Sequence, residues 1–249
     1  MQRRKFLALG ATLIGTSAFT KSLTAPAPTC QAWYLPPSLA GSKNNLTLNV
    51  RDTDSALGRY NPNGCIKTVT LDELVKYHGH LCDGIVFTFL QLSVALNTLF
   101  PDGVIDRTDI RGACKNSPCM VDGLSYLTGA RINFQTLRID ASLGASHIIQ
   151  KISTGETYQV QLAKEMFNDA LKNAEDSIRA KVATNQSVTP AEIDHVEKLA
   201  DDFITTMLST PLEKLVKIDK LEGYQFVPNS SVDVFGKRGD VINKKVGRS

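Results

Sequence analysis

The hydrophobic pattern changes character three times along the chain. A basic start, MQRRK, runs into about fourteen mostly apolar residues and then into small ones at 16–18, the grammar of an export leader. Residues 20 to about 60 show no sustained period and are rich in Pro, Ser, Asn and Gly. They read as a loose arm with one short strand at residues 46–50. From Thr70 onward the pattern becomes regular.

TLDELVKY opens with Thr70 and carries Glu73 three residues later, a capping box that predicts a short helix. Residues 84–100, GIVFTFLQLSVALNTLF, are apolar on nearly every side and stop before Pro101. Their length predicts a buried helix over a strand. GVIDRTDIRGAC, residues 103–114, predicts a strand, and SPCMVDGLSYLTG a helix with Ser117 as N-cap, Pro118 in the first turn and Gly129 past the end. RINFQTLRID and ASHIIQKIST alternate, which predicts a strand pair joined near residues 142–144. From Glu156 an apolar residue recurs every four positions (Tyr158, Leu162, Met166, Ala170, Ala174, Ile178), which predicts a long helix. A second capping box, Thr189 with Glu192 and Pro190 between, opens another. His195 falls there among charged residues and reads as a surface histidine.

Composition is that of an ordinary globular protein, with 42% hydrophobic and 21% charged residues. The formal net charge of +3 is less informative than it looks. Arg3-Arg4 before Lys5-Phe6-Leu7 resembles a twin-arginine export signal, and the apolar run behind it is shorter than the ~20 residues of a bilayer-spanning helix. Residues 1–28 hold four of the 28 basic residues and none of the 25 acidic ones, so the remainder, 24 against 25, is close to neutral. That removes the electrostatic support for nucleic-acid binding. The expected organisation is a leader at 1–28, a loose arm at 29–64, a domain at 65–228 and a basic tail at 229–249. The expected location is periplasmic or otherwise exported, with no stable membrane insertion once the leader is removed.

The chemistry concentrates in YHGHLCDGI, residues 77–85. It holds two of the four histidines and one of the five cysteines, His78, His80 and Cys82 at i, i+2 and i+4. An extended loop puts all three on one face, and a helix only His78 and Cys82. Imidazole and thiolate select zinc and its late first-row neighbours over magnesium or calcium. Further on, RGACKNSPC places Cys119 at the start of a helix, where thiolate is favoured.

YHGHLCDGIVFTFLQL, CMVDGLSYLTGARINFQTLRI and MLSTPLEKLVKI, in that order, resemble the FmdE family, the E component of formylmethanofuran dehydrogenase, over residues 66–220. That family carries an H-G-H-x-C-P-G loop and a C-x-x-D-A-(I/L)-x-x-L-T-G helix. The resemblance implies an α+β fold, a mixed or antiparallel sheet packed by helices with long C-terminal helices, a homodimer, and a transition metal, usually zinc. By position, His80, Cys82 and Cys119 are the implied ligands, His78 a fourth ligand or a supporting partner, and Asp122 an acceptor that orients a ligating histidine. Asp83 stands where the family has proline and can ligate or accept a proton. Thr88 stands where the family often has glycine. Cys65 and Cys114 are extra, open to a disulfide or to a further ligand.

Three readings of the cysteines compete. In an oxidising compartment Cys114 can bridge Cys119, and Cys65 can pair with either or with Cys30, which gives a disulfide-stapled, non-catalytic binding protein whose histidines are incidental. A thiol redox pair lacks the C-x-x-C spacing, and covalent haem lacks C-x-x-C-H. A metal site explains why two histidines sit beside Cys82. The sequence reading is thus an exported metal-binding protein, either a metal-dependent enzyme or an accessory protein that binds a metal or ligand.

Overall fold

The structure, a computed structural model, describes residues 39, 42–44, 46–52 and 66–229, all within the unit that spans residues 33–249. The leader, Cys30, Cys65 and residues 230–249 lie outside the described residues.

Strand β1 (Thr47–Arg51) pairs antiparallel with β2 (Lys67–Thr70), in the register Leu48 to Val69. Thr70 then caps helix α1 (Leu71–His78). Its hydroxyl accepts from the Glu73 N–H at 3.1 Å and its own N–H donates to the Glu73 carboxylate at 2.9 Å, the reciprocal box expected from the sequence. Gly79 ends α1 in the left-handed region, φ 103°, where a Cβ would be strained. Three residues later Cys82 caps α2 (Asp83–Leu99), which is buried on nearly every side through Ile85, Phe89, Leu92 and Leu96. Burying each such side chain contributes about 1.5–3 kcal/mol relative to exposure, so α2 is the spine of the core.

The strand predicted at residues 103–114 is broken. The Asp106 carboxylate accepts from the Thr108 N–H at 3.0 Å and its hydroxyl at 2.6 Å, and this turn diverts the chain through Arg107–Asp109. The residues before it form β3 (Ile105–Asp106), parallel to β1 in a three-stranded sheet. Those after it form β4 (Ile110–Cys114) in a separate five-stranded sheet. Helix α3 (Pro118–Thr128) follows as expected, except that Ser117 makes no side-chain cap bond.

The next two expected strands exist, but not as a pair. They are β5 (Leu137–Ile139) and β6 (Ser146–Lys151), and β4 lies between them, parallel to β5 and antiparallel to β6. The first part of the β5 segment is instead a turn in which the Arg131 carbonyl collects the N–H groups of Phe134, Thr136 and Leu137. The helix predicted from Glu156 begins only at Asp169. Residues Thr157–Leu162 are β7, paired on one side with β6 and on the other with β8 (Val216–Lys220). Helix α4 (Asp169–Ala183) starts where Asn168 accepts from the Leu171 N–H at 3.1 Å, and Leu171 is its one buried residue. Helix α5 (Pro190–Ser209) opens on the expected Thr189–Glu192 box, and His195 is exposed on it. A short α6 (Leu212–Leu215) leads into β8.

The sheet order is β5-β4-β6-β7-β8, mixed because β4 and β5 are parallel, and α2 packs on β6, β7 and β8. The architecture is α+β with helices packed on a mixed sheet. Helices α1 and α3 pack against each other and against α2, and so bring together the residues described next. No helix among the described residues is long and apolar enough to cross a membrane.

Candidate metal centre

Three helix ends meet at one place. His78 is the last residue of α1, Cys82 is the N-cap of α2, and Cys119 lies in the first turn of α3. Cys82 has extended backbone, and its sulfur accepts from the Ile85 N–H at 3.4 Å. The segment is therefore neither one helix nor one extended loop, and Gly79 lets the chain reverse between the two helices.

The three donor atoms form a compact triangle. Cys82 Sγ lies 3.5 Å from Cys119 Sγ, and His78 Nε2 lies 3.8 Å from the first sulfur and 3.6 Å from the second. Ligands about 2.0–2.3 Å from an ion at tetrahedral angles are about 3.3–3.8 Å apart, so the donor set fits a zinc-type ion. The second ring nitrogen of His78, Nδ1, lies 2.8 Å from Asp122 Oδ2, one helical turn beyond Cys119 on α3. The His78 side chain is only 3% exposed, which fixes the ring with Nε2 toward the sulfurs.

His80 sits on the rim. It is exposed, and its ring centroid lies 4.6 Å from that of His78 at an interplanar angle of 37°. Its ligand atom comes within 4.8 Å of those of His78 and Cys82, so among the described residues His78, His80 and Cys82 form a group able to hold a metal. The sequence reading put His80 first and His78 second. In the structure the His78 side chain is the more enclosed and is oriented by Asp122, while His80 is exposed beside it.

Glycine permits the close approach. A Cβ on Gly84 would lie 2.7 Å from Cys119 Sγ, so only glycine lets the first turn of α2 pass beside this sulfur. The two sulfurs have unequal affinities for a proton. The hydrogen bond from Cys82, reinforced by His78, lowers the Cys119 thiol to about 5. The same hydrogen bond, together with burial, pushes Cys82 upward. The Asp122 carboxylate, helped by Cys119, raises the His78 imidazole to about 9. Burial, then the neighbouring His78 charge, lowers His80. Thiolate character is thus concentrated on Cys119.

Other expected residues fall elsewhere. Asp83 opens α2, and its carboxyl lines a cleft of about 160 Å³ with Phe87, Phe167 and Phe203. Burial and then the Glu175 charge raise it to about 6. Cys114 is fully buried on β4 in the apolar core and burial pushes it up to about 12. Cys82, Cys114 and Cys119 are all free thiols, so the Cys114–Cys119 bridge is not formed, and Cys114 belongs to the hydrophobic core. The sequence reading passed over His147, which is fully buried on β6 and hydrogen-bonded through Nδ1 to Gln91 Oε1 at 2.8 Å. The signal was a histidine inside an alternating apolar strand, opposite a glutamine inside an apolar helix.

The fold and the cluster together define an α+β domain with a histidine–thiol centre at a three-helix junction. The family model described as FmdE, molybdenum formylmethanofuran dehydrogenase operon, matches residues 77–217, and the chain belongs to this family. Among solved structures, the chain is similar to a tungsten formylmethanofuran dehydrogenase FmdE-like protein from Syntrophus aciditrophicus. Identity is 15% over 61% of this chain and 72% of that one, with a TM-score of 0.42. No curated protein matches.

Proposed function

We propose that the protein is an exported metal-binding protein that holds a zinc-type ion through His78 Nε2, Cys82 Sγ and Cys119 Sγ. His80 serves as a fourth ligand or yields its place to a bound molecule. The observation that carries this reading is the line Asp122–His78–sulfur pair, in which a carboxylate holds one imidazole nitrogen at 2.8 Å and aims the other at two thiols. Metal-ligating histidines are oriented in this way, and two converging sulfurs match zinc in preference to magnesium or calcium. Such an ion supplies Lewis-acid polarisation of whatever occupies its open position. The chain's own part is to orient His78, keep Cys119 as thiolate and keep apolar bulk behind the site.

The twin-arginine leader fits this reading, because that route carries folded proteins with their metal already in place. Replacing Arg3 and Arg4 by lysine is expected to retain the protein in the cytoplasm. The family resemblance carries homodimerisation, which light scattering on the leaderless chain measures.

Elemental analysis with a free-thiol count tests the central claim. About one ion per chain is expected, with two thiols shielded until chelator is added. Metal content unchanged in both His78→Ala and Cys119→Ala would defeat it. One observation favours a second reading: Cys119, His78 and Asp122 also have the order of a thiolate nucleophile, its base and the orienting carboxylate. That reading predicts a metal-free protein whose Cys119 is alkylated rapidly at neutral pH. It leaves the second sulfur, 3.5 Å away, without a role.

A further inference from the structure

We propose that the cleft at the far end of α3 binds an oxyanion, a phosphate or carboxylate group of a ligand. The cleft measures about 360 Å³ and is lined by Asp52, Arg107, Gly129, Arg131, Phe134 and Thr136, among others. Its basic groups outnumber the acids that could neutralise them. Asp52 is the one carboxylate in the lining, and its Oδ2 is already shared between Arg107 Nη1 at 3.2 Å and Lys67 Nζ at 3.0 Å.

Arg107 keeps its charge at any physiological pH and its side chain is only 16% exposed. Its Nε–H is buried with no acceptor among the described residues, an unmet donor of the kind a bound oxygen satisfies. Arg131 is exposed and has no carboxylate partner among the described residues. Its guanidinium lies 5.5 Å from the centroid of the Phe134 ring. Two guanidinium groups facing one cleft are suited to forked recognition of phosphate or carboxylate.

The wall that carries Arg131 is built in advance. The Thr136 hydroxyl accepts from the Arg131 N–H at 2.9 Å and donates to its carbonyl at 3.3 Å, closing residues 131–136 into a tight loop. Gln135 completes that loop in the left-handed region, at φ 59°. Phe134 is 60% exposed and offers a flat apolar face beside the charge. Capping of α3 does not explain the pair, because the Gly129 N–H already closes the last turn on the Ser125 carbonyl and Arg131 lies beyond it. Cys119 and Gly129 bracket α3, so about 15 Å of helix separates the cleft from the thiol centre. An anion held here is out of reach of a metal there, and this proposal stands independently of the metal reading.

The test is a titration of ¹⁵N-labelled, metal-replete protein with inorganic phosphate and, separately, with acetate, following the backbone amides of residues 129–136. Saturable shifts confined to that stretch are expected, and the stronger of the two anions identifies the ligand group. Arg131→Gln, a change at an exposed side chain, is expected to weaken binding roughly tenfold, with Arg131→Lys between the two. Metal content is expected to stay constant in both variants, and binding is expected to survive chelation. Non-saturating shifts with both anions, or an unchanged affinity in Arg131→Gln, would overturn the proposal. So would loss of binding on chelation, which would place the anion at the thiol centre instead.

Discussion

Asp122 Oδ2 lies 2.8 Å from His78 Nδ1, and this contact decides which way the imidazole faces. Asp122→Asn keeps a side chain of the same size but replaces the acceptor charge with an amide. Loss of such a supporting group typically costs roughly 10–100-fold in metal affinity. Chelator competition on the two proteins is expected to show a loss in that range with α-helical content unchanged. Equal affinities would mean that His78 is oriented by burial alone.

Gly84 supports the site from the other side. A methyl group there would press on Cys119 Sγ at 2.7 Å and on its Cβ at 3.1 Å. Overpacking of this kind costs about 1–3 kcal/mol, and the sulfur is the part free to yield. Gly84→Ala is therefore expected to bind metal roughly tenfold or more weakly while unfolding near the wild-type urea midpoint. A normal metal affinity with a lowered midpoint would show that the helices moved and the sulfur did not.

What could be read from the sequence was mainly what is local. The Thr70–Glu73 and Thr189–Glu192 boxes are closed by bonds between residues three apart, and both are present as expected. The all-round apolar run of α2 leaves no solvated face, so burial followed from it. Residues 157–162 misled because Tyr158 and Leu162 extend the helical stripe of α4. Pairing decides the matter there: β6 is the preceding strand, but the other partner, β8, lies far off in sequence. Insertion of β4 between β5 and β6 is likewise a non-local choice, made after Asp106 turns the chain from one sheet to the other. At the centre, the residue types were legible but the orientation of His78 was not. It depends on α1 ending at His78 and on Asp122, 44 positions away.

Thr88 and Gly123 show a compensation across the α2–α3 contact. A Cβ on Gly123 would lie 2.3 Å from Thr88 Cγ2, so the two helices fit only because one side is bare. The family pattern has the reverse arrangement, with alanine at position 123 and often glycine at position 88. Gly123→Ala alone is expected to destabilise by about 1–3 kcal/mol despite the better helix propensity of alanine. Thr88→Ala removes the clashing methyl and a buried hydroxyl that has no hydrogen-bond partner among the described residues. The double variant is therefore expected to recover to within about 0.5 kcal/mol of wild type, and a urea double-mutant cycle measures the non-additivity. Additive losses would show that α2 and α3 can separate there at little cost.

His147 gives the fold an acid-sensitive point outside the donor triangle. Its Nδ1–H donates to Gln91 Oε1 at 2.8 Å, and Gln91 in turn donates to the Ala145 carbonyl at 3.1 Å. Among the described residues Nε2 is a buried nitrogen without a hydrogen bond of good geometry, the Met120 backbone being a polar neighbour of the ring. Burial lowers this imidazole to about 3, against a smaller opposing pull from the Met120 backbone. In the unfolded chain the same histidine takes up a proton near pH 6.5. Between those two values the unfolded state binds the extra proton, so stability falls as pH falls from about 6.5 toward about 3. The loss attributable to His147 between about pH 7 and about pH 5 is on the order of 2 kcal/mol. His147→Gln keeps a polar partner for Gln91 and cannot titrate, so its urea midpoint is expected to change less over the same interval. Equal slopes would mean that His147 finds a partner for its proton on acidification, and that other groups set the acid limit.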